Sequence, residues 1–468
     1  MDLSQPPTLD TLRPSLQRVF DLAGRKIHDL DRSWDPARGT PVFTVSGRYT
    51  TRGWTEWTQG FQYGSALLHF DATGDAESLA IGRRGTLDRM EPHLSHVGVH
   101  DHGFNTISTY GTLRRLIREE RIDADPAEIR LCELALKVSG AVQAARWSSA
   151  CDQDGNRRLG YIYSFNGPHS LFSDTIRSLR VLCVAWQLGH VLMGENDRCI
   201  DLLQRACQHA ETTARFNVYY GEGRDAYDLP GESGRVAHES IFNTNDGCYR
   251  CPSTQQGYSP FSTWTRGLAW ILCGYAEQLE FLQLPRVVEA LQPGEAARLT
   301  ALYRRAATAC AQWYIAHSFR DGMVYWDSGA PGISADPGYG TADSDPLNGR
   351  EPIDSSAAAI AAQGLLRLGA VLRATDEIEK AARYDAAALV LARTLFTEPY
   401  LATNPDHQGL ILHSIYHRPN GWDHVPASGS IPCGESSLWG DYHALELAVL
   451  LQRRLDEAPP ITFFDAEA

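Results

Sequence analysis

The chain has 468 residues, enough for one large domain or about three of ordinary size, and its 43% hydrophobic and 21% charged residues exclude a disordered or collagen-like polymer. With 57 acidic against 43 basic residues the formal charge is −14, which counts against a nucleic acid or an anionic membrane as partner. Ten cysteines, mostly inside apolar helical runs such as those holding Cys132, Cys183, Cys207, Cys273 and Cys310, read as buried small hydrophobes rather than a disulfide framework.

In chain order, the stretch from Met1 to Phe20 shows an acid at position 2, no basic run and no apolar core of a secretory leader, so a cytoplasmic protein is expected. Helical periodicity then dominates. Apolar residues at i, i+3, i+4 spacing predict twelve helices over 9–31, 57–71, 74–92, 104–122, 126–146, 173–192, 195–215, 263–282, 294–318, 354–373, 375–396 and 437–455. No segment reaches the ~18 uninterrupted apolar residues of a membrane span. No Pro-, Gly- or charge-rich linker divides the series, so residues 1–468 are expected to form a single domain.

The connections alternate in length. Each even-numbered helix passes to the next by a short link such as Thr73-Gly74-Asp75 or Ala374-Thr375-Asp376, whereas the odd-to-even links run from about 11 to 47 residues against a usual ~4–6. In an up-down array this parity collects the long loops at one end. The helices after Asp174, Thr263 and Asp354 are apolar nearly all round, whereas Asp197–Ala214 and Glu377–Phe396 carry one apolar stripe and one charged face. Six buried helices alternating with six half-exposed ones describe an all-α (α/α)6 barrel, with the long loops over the N-terminal ends of the inner helices.

Aromatic and polar residues cluster at those ends: Trp54 to Phe61, His100-Asp101-His102-Gly103-Phe104, Ser164 to His169, Gln256-Gly257-Tyr258 with Trp264-Thr265-Arg266, Asp354-Ser355-Ser356, and Trp439-Gly440-Asp441-Tyr442. Aromatic platforms beside carboxylates, amides and imidazoles suit a sugar, with its apolar face and rim of hydroxyls. Asp354, before Ser355-Ser356 and an alanine run, reads as a helix cap, and Asp441 as a cap or a mouth residue. Asp101 and Asp174 read as functional carboxylates; facing one another, one would have its pKa raised, as a general acid needs. Arg177, three residues after Asp174, would act oppositely if it paired with it. Arg266, one turn into a buried helix, requires an anion: a substrate carboxylate or a buried Asp. His209 lies near the C-terminal end of an outer helix, where a cation is favoured, and reads from the residues alone as structural.

No nucleotide-binding glycine motif, no HExxH and no clustered ligand set is present, so no cofactor and no metal are expected. The lone Cys248/Cys251 pair reads as an ordinary loop.

Taken together, Trp57-Thr58-Gln59-Gly60-Phe61, His100 to Phe104, Ser173-Asp174-Thr175-Ile176, His209 to Thr213, Gln256-Gly257-Tyr258, Ser262 to Trp270, Tyr325-Trp326-Asp327, Asp354 to Ala359 and Gly440-Asp441-Tyr442 resemble, in order over most of the chain, the unsaturated glucuronyl hydrolases of glycoside hydrolase family 88, close to the family 105 rhamnogalacturonyl hydrolases. The resemblance implies an (α/α)6 barrel that removes a 4,5-unsaturated uronic acid from the non-reducing end of lyase-generated oligosaccharides. The reaction it implies starts by hydrating the vinyl ether, with Asp174 protonating C4 and steering water to C5, and Asp101 holding ring hydroxyls and tuning Asp174. Trp57, Trp264 and Trp270 would be stacking walls, with His100, His209, Gln256 and Arg266 around the uronate, so the resemblance moves His209 from structural to binding.

The chain departs from the family pattern at Thr175-Ile176-Arg177-Ser178, at His102 where Leu is common, and in the loop from Ile162 to Phe172. An inverting glycosidase acting on a saturated sugar, with Asp101 and Asp174 as base and acid, and a non-catalytic sugar-binding protein on the same barrel are the other readings. The expected partner is a short oligosaccharide ending in one unsaturated uronate, recognised at short range by cations such as Arg266 despite the acidic surface.

Overall fold

The computed structural model describes residues 1–53, 56–152 and 158–466, with twelve long helices among them. In chain order these are α1 (Arg13–Ser33), α2 (Gln59–Thr73), α3 (Ala76–Arg89), α4 (His102–Thr106, a π segment Ile107–Gly111, then Thr112–Arg118), α5 (Pro126–Ala145), α6 (Thr175–Ser178 continued by Arg180–Gln187), α7 (Leu202–Phe216), α8 (Thr265–Leu282), α9 (Glu295–Ala316), α10 (Ser355–Arg373), α11 (Ile378–Leu395) and α12 (Leu438–Leu455). Each matches one segment expected from the periodicity. Several start where a short polar side chain accepts a free N–H of the first turn: Asp75 from Ser78, Asp125 from Ala127, Asp201 from Leu203, Asp354 from Ser356 and Ser437 from Gly440.

The even-numbered helices form a closed inner ring, α2 against α4, α4 against α6, then α8, α10, α12 and back to α2, and each odd-numbered helix packs outside against its neighbours. This is an (α/α)6 barrel. The inner helices α8 and α10 are buried on nearly every side, which explains why their sequences lack a polar face. α10 is long and apolar enough to cross a membrane by length and composition, yet it is buried within the barrel.

The connections, mostly the long loops, contain short strands that the periodicity did not single out. They are β1 (Phe43–Val45), β2 (Arg48–Thr50), β3 (Trp147–Cys151), β4 (Arg158–Ile162), β5 (Ser170–Phe172), β6 (Leu192–Met193), β7 (Cys199–Ile200), β8 (Glu239–Phe242) and β9 (Tyr249–Ser253). β1–β2, β3–β4 and β6–β7 are hairpins, and β5, β8 and β9 make a three-stranded antiparallel sheet. That sheet delivers Ser173-Asp174 from the end of β5 and the Gln255-Gln256 segment from the end of β9 to the same mouth. All ten cysteines are free thiols.

The barrel axis below the mouth is polar. Arg177 pairs with Glu277 at 2.8 Å and Glu446 at 3.1 Å, Arg180 with Glu277 at 3.2 Å, and Arg367 with Glu280 at 2.9 Å. Arg177 therefore points into the barrel. It does not pair with Asp174, because the carboxylates of α8 and α12 take it first.

Candidate active site

The ends of α4 and α6 meet closely. A Cβ on Gly103 would fall 2.1 Å from the Ser178 carbonyl oxygen, and one on Gly60 would fall 2.5 Å from Asn105 backbone atoms, so only glycine allows α2, α4 and α6 to converge this tightly. Ser178 Oγ accepts the Gly103 N–H at 2.8 Å and lies 3.0 Å from the His100 carbonyl oxygen, fixing the His100-Asp101 turn against α6. Asp101 and Asp174 occupy N-cap positions, but neither side chain accepts a capping hydrogen bond. Both carboxylates are left for something else.

They are bridged by one imidazole nitrogen: His100 Nε2 lies 3.2 Å from Asp174 Oδ1 and 3.7 Å from Asp101 Oδ1. Burial raises the Asp101 pKa, and the nearby Asp174 charge adds to it against the opposing pull of His100. For Asp174, burial also pushes upward, but the His100 hydrogen bond and charge, with His238 and Arg266, carry it below the ordinary carboxylate range. Burial alone would lower the His100 pKa; the two carboxylates more than offset this and raise it. Two carboxylates thus share proton affinity unequally through one histidine, and the raised member is Asp101.

A cavity of about 290 Å³ opens above this trio, lined by Trp57, His100, Asp101, Phe104, Phe165, Asp174, Gln255, Gln256, Trp264, Arg266, Trp270, Tyr416, His417, Asn420 and Trp422. Trp57 stacks on Trp439 with ring centroids 5.2 Å apart, and Phe104 leans on Trp270 at 4.9 Å. Trp54 and Thr55, part of the aromatic cluster before α2, lie outside the described residues. Arg266 donates to Asp354 Oδ2 at 3.0 Å, Gln256 Oε1 at 2.9 Å and the Tyr416 carbonyl at 2.8 Å, and also to the Ile415 carbonyl. Its anion is a buried Asp, so Asp354 both caps α10 and neutralises Arg266. Among the described residues no group of three or more His, Cys, Asp or Glu side chains is arranged to hold a metal ion.

No protein-family model matches the chain. It is 26% identical over 448 residues to an unsaturated glucuronyl hydrolase of Bacillus sp. (strain GL1), covering 93% of this chain and 96% of that protein. It is 25% identical over 394 residues to an unsaturated glucuronyl hydrolase of Formosa agariphila, covering 84% and 78%. The crystal structure of an unsaturated glucuronyl hydrolase specific for heparin shares the fold, with a TM-score of 0.68 at 19% identity, covering 95% of this chain and 98% of that one. Over nearly its whole length the chain is thus similar to unsaturated glucuronyl hydrolases.

Of the nine residues singled out from the sequence, eight line this one cavity: Asp174, Asp101, Trp57, His100, Gln256, Trp264, Arg266 and Trp270. His209 does not. It is fully buried, its Nδ1 accepts the Ile162 N–H at 3.0 Å, and burial pushes its pKa down to about 3, so it is a neutral brace between α7 and β4 rather than a ligand group. His100 holds the two carboxylates together rather than standing apart as a binding group.

Asp441 is buried away from the cavity, accepting from Tyr49 Oη at 2.5 Å and the Ile411 N–H at 2.9 Å. His102, the departure from the usual Leu, turns outward to Ser139 Oγ at 2.8 Å on α5.

Gln255, Asn420 and Trp422 line the cavity and were missed. So was His238 behind the wall, packed between Phe172 and Trp264 with ring centroids 4.5 and 4.7 Å away, with Nδ1 accepting the Gln255 N–H at 3.1 Å and no protein partner for Nε2 among the described residues. Its signal was available as a His-Glu pair inside a long mouth loop. That stretch carried no periodicity to draw attention to it.

Proposed function

We propose that this chain releases a 4,5-unsaturated uronic acid from the non-reducing end of lyase-generated oligosaccharides by hydrating the C4=C5 double bond. The observation that carries the reading is the Asp101–His100–Asp174 trio on the floor of a single aromatic cavity. The sugar ring would lie among Trp57, Phe104 and Trp270. Asp174 would deliver a proton to C4 and guide water to C5, with Asp101 holding ring hydroxyls. The resulting C5 hemiketal opens, and the leaving sugar departs from C1 with its hydroxyl restored.

A general acid must hold a proton at working pH, whereas the protein groups around Asp174 favour its ionised form. A bound uronate supplies the missing push in two ways: its own negative charge disfavours a second one nearby, and its bulk excludes water from a carboxyl group that is already buried. The raised affinities of His100 and Asp101 keep a proton within the trio until then.

Ultraviolet absorbance tests the reading, because hydration destroys the conjugated enol ether. Loss of absorbance from an unsaturated disaccharide is the expected result. Release of a saturated sugar with no absorbance change would point instead to an inverting glycosidase, and binding without turnover to a sugar-binding protein.

A further inference from the structure

An outer helix of a barrel turns its polar face to water, and α5 does not follow that rule. Its inner face is fixed: Cys132, Ala135, Leu136, Ser139 and Gly140 are buried, and a Cβ on Gly140 would fall 2.6 Å from Ala185 on α6, so the helix is seated tightly there. The opposite face carries Ala127, Leu131, Leu134, Val138 and Ala141, spaced alternately by four and three residues, with Leu131 46% and Leu134 57% exposed. The outer helix α11 presents Glu379, Lys380 and Arg383 to solvent instead. Two further apolar side chains are exposed on segments next to α5. Met193, 59% exposed, lies on β6, which packs on α5, and Val97, 71% exposed, has its carbonyl bound by Arg146 just past the helix end.

Alternating spacings of four and three are the seam that one helix offers to another. The order of side-chain sizes says which helix fits. They run small, large, large, large, small about Leu134, so an identical stripe laid antiparallel sets Leu134 against Leu134, Leu131 against Val138 and Ala127 against Ala141. Large meets large and small meets small all along the contact, as a self-complementary two-fold interface requires.

The charges beside the stripe obey the same symmetry. Among the described residues no carboxylate pairs with Arg130 or Lys137, while Glu133 between them is taken by Arg114 at 3.1 Å. The exposed turn between β6 and β7 carries Glu195, Asp197 and Arg198 and is net negative, and neither of its acids has an ion-pair partner among the described residues. This hairpin stands near Lys137, whose charge adds to burial in lowering the pKa of His190, just before β6. In the antiparallel pair the level of Lys137 on one helix faces the level of Leu131 on the other, which brings the acidic turn of each copy beside Arg130 of its mate.

We propose that α5 is the two-fold interface of a homodimer, with its leucine stripe packed antiparallel on the same stripe of a second copy and each β6–β7 turn set against the other copy's Arg130. The 20 residues of α5 make a face ~30 Å long and ~10 Å wide, roughly 300 Å². The hairpin and the Val97 segment extend it toward the ~800 Å² per partner of a stable contact.

The test is the mass of the full chain by sedimentation equilibrium between about 1 and 100 µM, the range in which an interface of that size associates. The expected result is a shift from one chain to two across that range. Leu134→Glu puts two like charges on the axis and should weaken association at least ~tenfold with an unchanged thermal midpoint at 1 µM, because the side chain it replaces is already exposed. Arg130→Glu should weaken it ~threefold or more, and adding Glu195→Arg and Asp197→Arg should restore it. A chain that stays monomeric at 100 µM overturns the proposal, as does a dimer that tolerates both Leu134→Glu and Arg130→Glu. Association lost with Arg130→Glu and not recovered by the exchanged charges would overturn the antiparallel register.

Discussion

Two buried charged clusters lie along the same barrel axis, and they do opposite things with the same chemistry. In the interior, Arg177, Arg180 and Arg367 meet Glu277, Glu280 and Glu446, three cations for three anions, and a cavity reaches only the Glu280–Arg367 pair among them. At the mouth, Asp101 and Asp174 share a single histidine under a cavity of about 290 Å³. The balanced cluster holds its charges fixed: burial alone would raise the Glu446 pKa, but Arg177 and its neighbours bring it down to about 2. The unbalanced one keeps proton affinities spread over three groups, which is the condition for moving a proton. Pairing, rather than burial, separates scaffold from site.

Substitutions should respect this division. Asp174→Asn removes the group proposed to transfer the proton without leaving a buried charge unpaired, so turnover should fall ~10²–10⁴-fold while the thermal midpoint holds or rises; a variant that keeps its rate would break the assignment. Glu446→Gln does the reverse. It leaves Arg177 with Glu277 alone and the buried cluster with three cations for two anions, and should cost about 3–5 kcal/mol in denaturant unfolding, with the rate per folded molecule preserved at low temperature.

Acid should act through the buried neutral histidines, whose pKa values sit at about 3 for His443 and His209 and about 4 for His102 and His413, burial being the first cause for each. Unfolded, they would take protons near 6.5. Their neutral form is therefore compatible with full stability above that pH, and stability is lost progressively as pH falls from about 6.5 toward the folded values. The denaturant midpoint should drop between pH 7 and pH 5, and a flat profile would contradict the buried neutral state.

The smallest effect is expected at His209. His209→Gln should cost about 1–2 kcal/mol through its bond to the Ile162 N–H and leave KM unchanged. A KM raised severalfold with stability intact would return His209 to the binding site.

Much of the fold was legible because helix periodicity is a local property. Apolar spacing and alternating loop length are written into short windows, so all twelve long helices and the convergence of the mouth loops could be anticipated. The strands could not: β5 pairs with β8 from dozens of residues away, and the local β8–β9 pair is too short to show a period. The carboxylates and aromatic walls were legible by type and position, and the brace role of His209 and the presence of His238 were not, because both depend on what packs against a ring.

By itself the sequence determined which residues could do chemistry: acids at helix starts, tryptophans beside them, and an arginine that had to find an anion. Only the tertiary structure decided the partners. Arg177 went to Glu277 and Glu446 instead of Asp174, Arg266 went to Asp354, and His100 came between two acids 73 residues apart in the chain. The reason is that a buried charge is set by its nearest neighbours in space, and in a closed ring of helices those neighbours come from elements that no local pattern connects.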